Sequence, residues 1–170
     1  MGCVRASGGN IHPPDAVGVT TPRHLRGVRY EDVSGMSGCA KCGFELWNPV
    51  AELSVSTVGL YDDGRFPGRL IVSLNDHFDH LDDVDAPLTA AFMDDIRAVS
   101  KVLREMDEVT RVNVAILGNK VPHVHAHVIP RRPLDVNYGL SPWDGAAEFV
   151  KMSDSQFYEM YSYLRERIAP

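Results

Sequence analysis

The chain has no run of about 18 apolar residues, the length at which a membrane helix becomes a candidate. No membrane span is therefore expected. Its N-terminus lacks the apolar core that marks a secretory signal, and the cytoplasm is the expected compartment. Cysteine is scarce, with only Cys3, Cys39 and Cys42 among 170 residues. An odd count with two in a Cys-x-x-Cys does not look like the disulfide framework of a secreted protein. Excess positive charge is missing too: the net charge is −6. A broad nucleic-acid face needs a basic stripe, so no nucleic-acid partner is expected. A small anionic substrate stays open, because a few local Arg, His and backbone N–H groups suffice for one. Internal repeats and low-complexity tracts are absent as well.

What is present suits one globular domain. The composition is 44% hydrophobic and 24% charged, ordinary for a folded chain, and a chain of this size buries a core without disulfides. Residues 1–35 read as a flexible arm, since Gly8, Gly9, Pro13, Pro14 and Pro22 interrupt any period. Met36 is a candidate for the true start, with the domain proper over 36–170. A strand is expected from Leu53 to Tyr61, a turn at Asp62-Asp63-Gly64, and a short buried strand from Arg69 to Leu74. An acidic loop, Asn75 to Asp85, follows.

Leu88, Phe92, Ile96, Val99, Leu103 and Met106 recur at helical spacing and predict one apolar stripe. Asp94, Asp95, Arg97, Lys101, Arg104 and Glu105 read as its solvated side. Arg111 to Leu117 alternates as a strand and Gly118-Asn119 as a turn. His123 to Ile129 reads as a further strand stopped by Pro130. A polar loop with Trp143 precedes a last helix, with Ser153 and Gln156 as its capping box. Its apolar stripe is Phe157, Met160, Tyr161, Leu164 and Ile168. Short connections between neighbouring strands favour an α+β fold, an antiparallel sheet with helices on one side.

The stretch His123-Val124-His125-Ala126-His127-Val128-Ile129 carries the chemistry. Strand side chains alternate faces, so the three histidines share one face while Val124, Ala126 and Val128 enter the core. Imidazole, with an unperturbed pKa of about 6.5, is mostly neutral at pH 7. It is then a competent nucleophile, a proton carrier or a metal ligand. Three imidazoles on one face can bind a metal or handle phosphate. Cys39-Ala40-Lys41-Cys42 has the spacing of a zinc knuckle. Taken alone it is also open to redox chemistry or to two idle thiols, although no βαβ context surrounds it.

The histidine stretch resembles the signature of the histidine-triad family, in which three histidines alternate with apolar residues and two apolar residues follow. Val124, Ala126, Val128 and Ile129 fill every apolar position. Gly118-Asn119 before it, Pro130-Arg131 after it, and Pro67-Gly68 with the strand to Leu74 and then His77 are similar to the family's surroundings. The resemblance spans roughly 39–132 and implies a histidine-triad fold of about five antiparallel strands.

It also implies roles. His125 would attack a nucleotide α-phosphate and form a nucleotidyl-histidine intermediate, and His127 would hydrogen-bond the phosphate or the leaving group. His123 would be the third member. Some histidine-triad proteins, and the similar galactose-1-phosphate uridylyltransferases, complete a Cys-x-x-Cys site with two histidines. Here that implies one structural zinc per chain on Cys39, Cys42, His77 and His123, with His80 as a substitute for His77. Asp62 or Asp63 is the implied ribose contact and Asn119 a phosphate contact, while Trp143 would wall the pocket or anchor its loop.

The chain departs from the family at Arg69, where many members carry a histidine. An arginine there would hold phosphate as a fixed charge or point into solvent. Expected partners are a small-molecule nucleotide and a second copy in a homodimer, with the helix from Leu88 to Met106 as a contact. Dinucleoside polyphosphates, phosphoramidates and adenylylated adducts are the candidate substrates, for hydrolysis or nucleotidyl transfer. Two rivals are a catalytically weak nucleotide-binding protein of the same fold and a zinc hydrolase with the triad as ligands. The Cys pair, a better home for a metal, argues against the second. Uridylyl transfer is disfavoured, since that branch has Gln at the position of His127.

Overall fold

The computed structural model describes residues 38–135, 137–144 and 148–168. The arm expected over 1–35 lies outside the described residues. Five strands form one antiparallel sheet: β1 (Pro49–Glu52), β2 (Ser56–Leu60), β3 (Leu70–Leu74), β4 (Arg111–Ile116) and β5 (His125–Arg131). Their order across the sheet is β1-β2-β3-β5-β4. Helix α1 (Ala86–Arg104) lies between β3 and β4 in sequence, and α2 (Asp154–Ile168) closes the chain. Among the described residues no helix is long and apolar enough to cross a membrane.

The core lies between one sheet face and the two helices. Val58, Leu60, Val72, Ala126 and Val128 meet Phe92, Ile96, Val99 and Leu103 of α1 and Leu164 of α2 there. Phe92 is fully buried, and trimming such a ring to alanine costs about 3–5 kcal/mol. α1 starts where the Asp85 carboxylate accepts the Leu88 N–H, with a proline in the first turn. α2 starts at the expected box: Ser153 N–H donates to Gln156 Oε1 at 3.0 Å, and Gln156 N–H to Ser153 Oγ at 3.4 Å.

Three expectations need correction. The strand expected from Leu53 to Tyr61 is shorter, β2 over Ser56–Leu60. Residues 53–55 are a tight turn that joins it to a further strand, β1, which the sequence reading did not include. Asp95 is not on the solvated side of α1. It is buried, and its oxygens accept from Ser54 N–H and Oγ, Val55 N–H and Ser56 Oγ. The helix thus ties down that turn. Pro130 does not stop β5, which runs on to Arg131. Position 130 pairs with Val112 of β4 but lies beyond the last β3 pair, Leu70 with Val128. On that side no ladder bond is lost to the missing N–H.

Gly68 leads into β3 with φ of 95°, and a Cβ there would meet Met106 at 3.0 Å. Only glycine fits both the left-handed backbone and the space. It sets the chain direction that puts Arg69 beside β5.

Candidate active site and metal centre

β5 sorts the triad as its alternation requires. Val124, Ala126 and Val128 are in the core, while His125 and His127 lie opposite Ser73 and Ile71 on the other face. His123, where the strand was expected to start, lies two residues before β5, and its N–H donates to Val121 O at 2.9 Å. The rings of His125 and His127 meet edge to face at 5.2 Å. All three are more enclosed than an open strand face would allow, with His123 and His125 buried and His127 half-buried.

His125 Nδ1 lies 2.7 Å from the His123 carbonyl oxygen. A carbonyl only accepts, so Nδ1 carries the proton. The lone pair is then on Nε2, at the far edge of the ring. Burial pushes His125 below the ordinary imidazole value, and the neighbouring His123 adds to this against the pull of that carbonyl. The ring is neutral and nucleophilic at pH 7.

Cys39, Cys42, His77 and His123 come together with their donor atoms all within 4.8 Å of one another. Cys39 Sγ is 3.4 Å from His77 Nδ1, and Cys42 Sγ is 3.5 Å from His123 Nδ1. The outer nitrogens are fixed: His123 Nε2 donates to Leu74 O and His77 Nε2 faces Asp79 Oδ1, each at 2.8 Å. Both Nδ1 lone pairs therefore turn inward, as a metal ion needs. Backbone donation from Cys42 brings the Cys39 thiol down to about 6, whereas burial raises Cys42. His80 is exposed at the cap of a single 3-10 turn, and His77 is the histidine brought to the cysteines.

Arg69 is buried against His127. Its Nη2 lies 3.1 Å from His127 Nδ1, and its Nη1 donates to Asp63 Oδ2 at 2.8 Å. The guanidinium sits 4.4 Å from the Tyr61 ring centre and 5.8 Å from that of Trp143. With 6% of its surface exposed it does not point into solvent. Asp63 is fully enclosed, and its oxygens also accept from Arg65 Nε, Nη2 and N–H. Burial alone would raise Asp63, but the hydrogen bonds from Arg65 and Arg69 outweigh it and hold the carboxyl below its ordinary value. Burial, then the charge of Arg69 and the His125 ring, depress His127 to about 4.

The family model for the HIT domain matches residues 50–134 of the chain. The chain belongs to the histidine-triad family. A histidine triad protein from Bradyrhizobium japonicum is 28% identical, with a TM-score of 0.65 over 71% of this chain and 89% of that one. One from Marinobacter aquaeolei is 22% identical, with a TM-score of 0.64 over 71% and 87%. A zinc-bound family member from Mycobacterium smegmatis is 22% identical, with a TM-score of 0.54 over 71% and 82%. No curated protein sequence matches the chain.

In this histidine-triad protein the remaining expected site residues scatter. Asp63 presents no surface to a ligand. Asp62 is half-buried and accepts the Met152 N–H at 2.9 Å. Asn119 is exposed in the loop between β4 and β5. Trp143 stands against His127, with ring centres 5.8 Å apart, as a wall of the site.

Two contributors had no individual sequence signal. Phe44 stacks on His123 at 4.8 Å. Arg131, fully buried, donates to Asp135, Asn113, the Leu140 carbonyl and Asn137, gathering the loop that leads to Trp143. The Pro130-Arg131 pair pointed to the position, not to this task.

Proposed function

We propose that this protein cleaves a nucleotide at its α-phosphate by covalent catalysis on His125, and that it carries one structural zinc. The observation that carries the reading is the 2.7 Å contact between His125 Nδ1 and the His123 carbonyl. It leaves the Nε2 pair free and offers a partner for the positive charge that develops on the ring. In the first step Nε2 forms a bond to the α-phosphorus while the bond to the leaving group breaks, the electron pair departing with that group. In the second step a water oxygen bonds to phosphorus, and the nitrogen–phosphorus pair returns to Nε2. The water proton passes to the departed group or to solvent. Splitting one displacement into two lowers each barrier, and hydrogen-bond donors such as His127 stabilise the equatorial oxygens.

Cys39, Cys42, His77 and His123 would hold the zinc. Their 3.4 and 3.5 Å donor separations are near the edge, about 3.6 Å, of a tetrahedron with bonds of about 2.2 Å. Four protein ligands leave no open position, so the ion's part is to stiffen the fold and fix the His123 ring beside the nucleophile. Asp62 remains the acidic residue proposed to reach a ribose hydroxyl, and Asn119 a phosphate oxygen.

The test is rapid quenching with α-labelled adenine and guanine nucleotides, with and without inorganic phosphate, followed by mass spectrometry. A nucleotidyl adduct on the His125 peptide is expected. Turnover without any adduct on that histidine would refute the covalent route.

A further inference from the structure

We propose that Arg69 fixes His127 as its neutral Nε2–H form and thereby restricts this enzyme to substrates whose leaving group departs as a stable anion, phosphoanhydrides rather than phosphoramidates. The proposal rests on the covalent reading above for its substrate clause. The fixing of His127 stands on geometry alone.

A guanidinium has five N–H donors and no acceptor. The 3.1 Å contact of Arg69 Nη2 with His127 Nδ1 therefore requires a lone pair on that nitrogen, and the single ring proton is on Nε2. A second proton on Nδ1 would meet an N–H of a permanent cation. Arg69 cannot easily turn away, because the buried Asp63 carboxylate holds its Nη1, and Tyr61 and Trp143 flank it. Its Nε is the one buried side-chain polar atom among the described residues with no hydrogen-bond partner. The fold leaves that donor unmet while both terminal nitrogens stay engaged. The charged or titratable groups facing His127 among the described residues are Arg69 and His125. Arg69, the permanent cation of the two, opposes a protonated ring, and the Asp63 oxygens that would favour one are turned to Arg65 and Arg69.

A neutral ring with its proton on Nε2 donates a hydrogen bond to a phosphate oxygen. It is a poor proton donor, because losing Nε2–H would leave an imidazolate. In a phosphoanhydride the phosphorus–oxygen bond breaks with the pair on a phosphate oxygen, an anion stable at neutral pH that needs no proton. In a phosphoramidate the phosphorus–nitrogen bond breaks with the pair on nitrogen, which must take a proton. His127 has none to give, and solvent supplies it slowly. Losing a positioned general acid costs about 10²- to 10⁴-fold.

Two measurements on the full chain decide the matter. Nitrogen-15 spectra of histidine-labelled protein at pH 7, assigned with His127→Gln, should show His127 protonated on Nε2 only. Arg69→Met should give mixed tautomers. Steady-state kinetics on matched adenine and guanine pairs, a dinucleoside triphosphate against a nucleoside 5′-phosphoramidate, should favour the anhydride in kcat/KM by about a hundredfold or more. Arg69→Met should narrow that ratio about tenfold, mainly through kcat.

Protonation of wild-type His127 on Nδ1 overturns the lock, and this spectrum needs no variant to fold. Equal or faster phosphoramidate cleavage with a His125 adduct overturns the substrate clause and leaves the covalent reading intact. No turnover of either compound and no adduct overturns both, while the spectrum of the free protein still judges the lock.

Discussion

Phe44 lies face-on against His125, with ring centres 5.4 Å apart and planes 19° from parallel. It follows Cys42 by two residues, so the segment that supplies both thiols also braces His125, the proposed nucleophile.

Stripping the metal should therefore be felt in the active site. Elemental analysis should find about one zinc per chain. Chelation or Cys39→Ser should lower stability on the order of 3 kcal/mol, about 10 °C in Tm, and reduce the rate as Phe44 loosens. Metal-free protein that melts and turns over unchanged would refute the zinc site.

His125→Ala should lower kcat by about a thousandfold or more, since the covalent route is gone. Nucleotide affinity, followed by calorimetry, should survive because the walls around Arg69 and Trp143 are untouched. Residual turnover near wild type would sink the mechanism.

The pH profile should be displaced to the acid side. Burial lowers both His125 and His127, the latter to about 4. The free enzyme should hold its kcat/KM below the ordinary histidine range of about 6.5 and lose it as these rings protonate. Stability runs with the same sign. Each ring takes up its proton at higher pH in the unfolded chain, so these rings cost stability as pH falls from about 6.5 through the native values. A rate that halves near pH 6.5 would contradict the burial argument.

Asp95→Ala should be among the more damaging changes on α1, although no catalytic group touches it. Removing one carboxylate strips partners from two hydroxyls and two N–H groups in the β1–β2 turn. A loss of about 3 kcal/mol by denaturant melting is expected. Exposed Asp94→Ala should be nearly neutral.

That contrast marks what was legible in the sequence. A helical wheel at about 100° per residue puts Asp95 at the edge of the apolar stripe, beside Leu88 and Val99, and Asp94 on the far side, so the burial of Asp95 was readable. Its partners were not, because they lie in a turn some 40 residues upstream. β1 was missed because Pro49 suggests a loop, and a four-residue strand shows almost no period. The triad was legible because period two fixes which side of β5 each residue takes. His77 and His80 are three residues apart, and only the path of the chain after β3 decides which one meets the cysteines. Arg69 read as ambiguous because its partners are local on one side, Asp63, and 58 residues away on the other, His127.

The alternation in β5 also guards the fold against its own commonest error. The strand lies inside the sheet, paired on both sides, and a slip of one residue would exchange its two faces. Imidazoles would enter the apolar layer, and valines would face the cleft. His123 would also swing away from Cys42, which it meets in the native register. A chain assembled one step out of phase thus loses its core and its Cys42 contact together, so this strand carries its own proofreading signal.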